Sequence, residues 1–385
     1  MENKIVKKLE EIEEIYSTIN CKLLDKEHPI SITSSSSVSK LLFNSYYNNS
    51  NITESLIEQH VNFINQSKNS SSKYSTGIPG YSTLLYNLYQ DGKVDFHKSF
   101  FNQLDEINRA CLNSVYKTSE RNNDFLHGII GNSVYFFFRV KENYNSLKKI
   151  QELIENQKKK DKDYAYWETL NQDGKKSVEL GLAHGHASKL WFLNNLYLAD
   201  INPKQAKQTI KQGVNYILSL RNADDVNTFS IFPTSIQKEK GSEKSRLAWC
   251  NGDLSIAIIL YQISETLNDQ NLKDEAINIA IKTTLRKDVE NTRLFDTAFC
   301  HGISGVVHLY NKFYQMTKIE SFRIARDYWV NKLIDEGDPK NYTFLYIDKW
   351  VKDYGLLNGL GGVGMSLLGL INPKELSWDR LFLLS

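Results

Sequence analysis

Hydrophobic positions along this chain recur at helical spacing, and they fall into two kinds of stretch. In the opening segment Ile5, Leu9, Ile12, Tyr16 and Ile19 lie at steps of three and four with Lys and Glu between them, which predicts an amphipathic helix. Ala206, Ile210, Val214, Ile217 and Leu218 repeat that one-sided pattern after Pro203, a residue suited to a first helical turn, and Leu272, Ala276, Ile279 and Thr283 repeat it again. The second kind is apolar nearly all round and follows two small residues three apart. It occurs at Gly77/Gly80 before Leu84, Gly128/Gly131 before Tyr135, Gly185/Ser188 before Leu190, Gly252/Ser255 before Ile256, Gly302/Gly305 before Val306 and Gly359/Gly362 before Met365. A serine-rich stretch, Ser31 to Ser39, reads as a degenerate first copy with Ser36/Ser39 ahead of Leu41, which makes seven units 41 to 67 residues apart.

Each repeat therefore reads as a helix pair, one member buried because it is apolar on every side and the other amphipathic. Small residues at the start of the buried member let backbones approach, and a glycine there permits a sharp entry turn. This pattern predicts an all-α fold, an α/α toroid of seven inner and seven outer helices, with an open solenoid as the alternative. It is expected as a single domain, 1–385, with the N-terminal helix 1–20 packed on the outer ring. Strand pieces are expected only in connections, at Thr228–Pro233 and Tyr342–Tyr346, and Lys158–Asp163 reads as a solvated loop.

Composition narrows the function. The 385 residues are 41% apolar and 12% aromatic, enough for a sizeable core. A net charge of +2, from 47 basic and 45 acidic residues, argues against a nucleic-acid partner. The first residues run into acidic positions without an apolar stretch, so neither a secretory signal nor a membrane span is expected. Four cysteines do not make a disulfide framework. The protein is expected to be bacterial and cytoplasmic, which leaves the Asn51-Ile52-Thr53 sequon without meaning.

The reactive residues keep step with the repeat. Cys250 and Cys300 both stand two before their glycine; His127, His184 and His301 stand one before; Asp124 stands four before Gly128. If every buried helix starts at the same end, these side chains gather there. Cys250, Cys300 and His301 form a Cys₂His donor set, which suits one zinc ion with its fourth position open. Two thiolates neutralise the metal's charge, so the site suits activation of a substrate thiol more than strong polarisation of a carbonyl. A thiolate adding to an electron-poor alkene needs a proton delivered to the resulting enolate, and His184 is the candidate general acid, with Asp124 to orient it and Arg246 to steady the enolate oxygen. The competing readings are a structural zinc or no metal, a packing role for His184, a helix cap for Asp124 and a surface charge for Arg246. Cys21 and Cys111 read as core residues, and His127, His186 and His308 as structural or rim residues.

The motifs Gly181-Leu182-Ala183-His184-Gly185, Trp249-Cys250-Asn251-Gly252, Cys300-His301-Gly302 and Gly359-Leu360-Gly361-Gly362-Val363-Gly364, in this order, resemble the lanthionine synthetase C family of lanthipeptide cyclases. The likeness runs from Ser36 to Trp378-Asp379-Arg380. It implies a seven-fold toroid, zinc on Cys250, Cys300 and His301, and catalytic roles for His184, Asp124 and Arg246. It also implies as substrate a leader-bearing precursor peptide dehydrated at Ser and Thr, whose cysteines add to dehydroalanine or dehydrobutyrine to form (methyl)lanthionine rings. A dehydratase and an exporter are the implied partners in a biosynthetic complex, through which the protein would be at most peripheral to the membrane. The alternatives are a thiol transferase that adds glutathione to dehydroamino acids and a non-catalytic scaffold for a dehydratase. Nisin-type cyclases carry Tyr after the first zinc cysteine, where this chain has Asn251. Terpene cyclases share the toroid but want clustered Asp, and Asp224-Asp225 does not make that cluster.

Overall fold

The computed structural model describes residues 1–19, 30–48, 57–59, 71–117, 123–170, 175–222, 229–237 and 244–385; Cys21, Asn51-Ile52-Thr53 and Asp224-Asp225 lie outside them. Two compact units emerge, one of Met1–Leu104 with Leu294–Leu383 and Ser385, the other of Asp105–Arg293 with Leu384.

Seven buried helices follow the seven small-residue units. The first unit holds Ser36–Tyr47, Ile78–Gln90, Ile303–Thr317 and Leu360–Ile371, and the second holds Ile129–Phe138, His186–Leu198 and Asp253–Leu267. In Ile303–Thr317 every residue from Ile303 to Phe313 is buried, as the all-round apolar pattern requires. Amphipathic partners pack beside them: Val140–Gln157 on Ile129–Phe138, Pro203–Ser219 on His186–Leu198, Gln270–Thr283 on Asp253–Leu267, and Glu320–Asp335 on Ile303–Thr317. Pro203 takes the first turn of its helix, and Ala206, Ile210, Val214 and Ile217 form the covered face while Leu218 is half-buried. Leu272, Ala276, Ile279 and Thr283 are buried as their spacing predicts. The first helix, Glu2–Thr18, lays Ile5, Leu9, Ile12 and Tyr16 chiefly against Leu360–Ile371.

Six of the seven buried helices are N-capped by glycine and have no side-chain cap. Glycine in place of a capping side chain costs roughly a few tenths of a kcal/mol, whereas each fully buried Leu, Ile or Phe contributes roughly 1.5–3 kcal/mol. Burial therefore carries these helices. The glycines are needed for proximity and not for an unusual backbone: at Gly302 φ is −120° and ψ −168°, extended values open to any residue. A Cβ on Gly302 would lie 2.3 Å from Asp296 Oδ1, and one on Gly252 would lie 2.2 Å from the Arg246 carbonyl. The chain folds back on itself there, and Ile78, Ile303 and Leu360 donate their N–H groups to the carbonyls of Ser71, Asp296 and Asp353. The first copy is in a different register from the expected one. Ser35, not Ser36, occupies the glycine position, because its hydroxyl accepts from Val38 N and caps Ser36–Tyr47.

The entry loops are stitched to one another two residues ahead of each cap. In the second unit Leu126 N donates to Ala183 O (3.3 Å) and Ala183 N to Cys250 O (3.0 Å). In the first unit Cys300 N donates to Leu357 O (2.8 Å) and Leu357 N to Thr33 O (2.9 Å).

Strands are few among the described residues. Phe344–Tyr346 pairs antiparallel with Lys349–Val351, as expected near Tyr342–Tyr346. Lys158–Asp163 is not a plain loop: Lys159–Asp161 pairs with Tyr164–Tyr166 in a solvent-facing hairpin, backbone pairing being indifferent to the charge of outward side chains. The described part of Thr228–Pro233 forms no strand; the neighbouring Ser235–Ile236 pairs with Val178–Glu179 instead.

Candidate active site

The stitching between loops decides what surrounds His184. Because Ala183 N is bonded to Cys250 O and Leu126 is bonded to Ala183 O, the loops carrying Asp124, His184 and Cys250 lie side by side in the second unit. Asp124 Oδ2 is 2.7 Å from His184 Nδ1, and Asp124 Oδ1 accepts the His127 N–H at 2.6 Å. One Asp124 oxygen closes its own turn and the other meets the imidazole; the helix-cap reading is not realised, because the following helix Ile129–Phe138 starts at Gly128 without a side-chain cap. With Nδ1–H directed at the carboxylate, His184 presents Nε2 to its surroundings, and the side chain keeps 48% of its surface exposed. Burial opposes a charge on this ring, but the hydrogen bond and charge of Asp124, reinforced by Cys250 and Glu179, hold its pKa above the ordinary 6.5. Burial likewise pushes Asp124 up, yet the hydrogen bond and charge of His184, with His127, hold it below the ordinary carboxylate range.

The Cys250 loop is anchored from behind. Asp253, fully buried in the first turn of the following helix, accepts from Ile231 N (3.0 Å), Phe232 N (2.9 Å) and Arg286 Nη1 (2.7 Å). Arg286 also donates to the Ser245 carbonyl at 2.7 Å, so the strand of chain leading to Cys250 is fixed at both ends. Arg246 is half-buried, and among the described residues its guanidinium makes no hydrogen bond or ion pair. Asn251, standing where nisin-type cyclases have Tyr, donates to the Thr234 carbonyl at 3.4 Å.

Cys300 and His301 belong to the first unit, where Asp296 organises their loop. Its Oδ1 accepts Ala298 N at 3.0 Å, its Oδ2 accepts Leu345 N at 2.8 Å, and that same Oδ2 lies 3.5 Å from His301 Nε2. Cys250 and Cys300 are half-buried and not in a disulfide; Cys111 is buried, as a core residue should be. Among the described residues no group of three or more His, Cys, Asp or Glu side chains is gathered as a metal ion would need. Each unit supplies part of the expected donor set. The chemistry of that set suits zinc: two accessible thiols and an imidazole with one nitrogen toward a carboxylate, the usual support of a metal-binding histidine.

His186 and His308 are structural, as read from the sequence. His186 is buried with Nε2 3.1 Å from the Gly213 carbonyl, and burial pushes its pKa down to about 3. His308 is buried 2.9 Å from Asp379. His127, read as a structural or rim residue, has its ring stacked on that of His184 with centroids 5.4 Å apart. The sequence reading missed Lys189. This lysine is 1% exposed and donates to the carbonyls of His184 (3.4 Å) and Gly185 (3.2 Å), and burial brings its pKa down to about 8. The available signal was a lone lysine next to the apolar run Leu190-Trp191-Phe192-Leu193.

The family model described as lanthionine synthetase C-like protein matches residues 35–383. The chain belongs to the lanthionine synthetase C-like family. The match starts at Ser35, the residue that caps the first buried helix, so the family's common body includes all seven buried helices. A solved structure, nisin cyclase, is similar with a TM-score of 0.74 and 17% identity, covering 99% of this chain and 97% of that one. The fold is accordingly all-α, an α/α toroid, and the open solenoid is set aside. Among the described residues no helix is long and apolar enough to cross a membrane.

Proposed function

We propose that this member of the family is a lanthipeptide cyclase: it adds cysteine thiols of a dehydrated precursor peptide to dehydroalanine or dehydrobutyrine and so closes thioether rings. The observation that supports it most is the Asp124–His184 pair beside the Cys250 loop. Membership of the lanthionine synthetase C-like family and the likeness to nisin cyclase point the same way.

Cys250, Cys300 and His301 would hold one zinc ion, which when bound lowers the pKa of a substrate thiol while the two cysteinates keep the sulfur electron-rich. In the addition the sulfur bonds to the β-carbon of the dehydroamino acid, the π-electrons move onto the α-carbon and its carbonyl, and a proton must reach the α-carbon. His184 is built to deliver it. Asp124 fixes the ring through Nδ1 and raises its proton affinity, so Nε2–H is the donor that faces substrate. Arg246, whose guanidinium is uncommitted among the described residues, is suited to the enolate oxygen. Substrate and product have the same composition, so no leaving group or oxidant is required.

The reading is tested by incubating the purified protein with a dehydrated, cysteine-containing precursor. Loss of alkylatable thiol at unchanged mass supports cyclisation. A gain equal to glutathione, when that thiol is supplied, points to a transferase, and no reaction points to a scaffold. The dehydratase and exporter belong to the same proposal, tested by co-purification from the native cell.

A further inference from the structure

Asp296 is 6% exposed and is committed on three sides. Its carboxylate accepts Ala298 N and Leu345 N, its carbonyl accepts Ile303 N at 3.0 Å, and Oδ1 occupies the space that a side chain on Gly302 would fill. A group tied so firmly cannot follow a neighbour that moves, so the neighbour must adjust to it. That neighbour is His301, whose Nε2 faces Asp296 Oδ2 across 3.5 Å while its side chain is 19% exposed.

We infer that Asp296 is a positioning residue for His301: by taking Nε2–H toward its carboxylate it fixes the tautomer in which Nδ1 carries the lone pair offered to zinc. The inference rests on the zinc reading given under the proposed function. The physical reason is that a neutral imidazole has one donor and one acceptor nitrogen, and whichever faces a carboxylate becomes the donor. Such a partner also makes the opposite nitrogen more basic, and its loss typically costs 10- to 100-fold in metal affinity. The same carboxylate anchors the hairpin Phe344–Val351 through Leu345, so the ring and the hairpin share one fixed point.

The decisive variant is Asp296→Asn. The amide oxygen retains the bond from Ala298 N, while an NH₂ group turned toward Nε2 favours the opposite tautomer and gives up the bond from Leu345 N. Zinc dissociation constants are measured by chelator competition for wild type and variant, with the melting temperature of both zinc-free forms as a control on folding. A 10- to 100-fold weaker affinity in a variant whose zinc-free form still unfolds cooperatively supports the inference. ¹⁵N-histidine NMR of the zinc-loaded wild type needs no variant, and it should show His301 protonated at Nε2 and metal-bound at Nδ1. Zinc bound through Nε2, or equal affinity in Asp296→Asn, overturns the inference alone. A wild-type chain that takes up no zinc overturns the zinc reading and this inference together.

Discussion

Asp124 and His184 stand 60 residues apart in the chain and 2.7 Å apart in the fold, Oδ2 to Nδ1. The contact orients the imidazole and favours its charged form, and it gives the first test. Asp124→Asn should leave the loop's own turn largely intact through the remaining amide oxygen while removing the negative charge. Since that carboxylate holds the His184 pKa above 6.5, its loss should move the basic limb of the pH–rate profile to lower pH. The rate itself should fall by about 10²–10⁴, the usual worth of a positioned acid. An unshifted limb would remove His184 from the proton-transfer step.

Metal content separates the donor residues from the acid. Cys250→Ala or Cys300→Ala should lose both zinc, measured by elemental analysis, and cyclisation. His184→Ala should retain about one zinc per chain and lose only turnover. Equal zinc in the wild type and both cysteine variants would show that these thiols are not ligands.

Gly302→Ala tests whether the repeat's glycines serve close approach. The new methyl carbon would meet Asp296 Oδ1 at 2.3 Å, Ala298 N at 2.5 Å and Asp296 O at 2.6 Å, two of them backbone atoms that cannot rotate away. A cost of about 1–3 kcal/mol is expected, seen as a lower denaturation midpoint in urea. Stability equal to wild type would mean that the loop relaxes freely.

Asp379 gives a pH test of stability. It is buried between Lys312 Nζ at 2.6 Å and His308 Nε2 at 2.9 Å. Burial pushes its pKa up, but Lys312 and His308 outweigh that and bring it from the ordinary 3.8 down to about 2. A depressed carboxylate stabilises the fold above its unfolded pKa, so this contribution, on the order of 2 kcal/mol, should be intact above about pH 4 and fade as pH falls toward 2. Asp379→Asn should flatten that part of the acid denaturation curve. It should also cost about 3–5 kcal/mol near neutrality, because Lys312 is left buried without its counter-charge.

What the sequence determined by itself was the periodic part. Helical spacing and a small-residue step are local signals, each contained in some dozen neighbouring residues, so the seven buried helices could be read directly. The candidate donors stand out in the sequence too, since Cys250 and Cys300 hold equivalent places in their repeats and His301 follows Cys300 directly; that they bind zinc is a proposal. Only the tertiary structure decided which loop lies beside which, because the bonds from Leu126 to Ala183 and from Ala183 to Cys250 join segments that no local pattern connects. It also put Ser35 at the first cap, where a hydroxyl accepts Val38 N in a place that the other six copies give to glycine. Asp296 and Lys189 stayed hidden for the same reason: a charged residue looks like solvent-facing surface until long-range packing buries it and supplies the backbone groups that satisfy it.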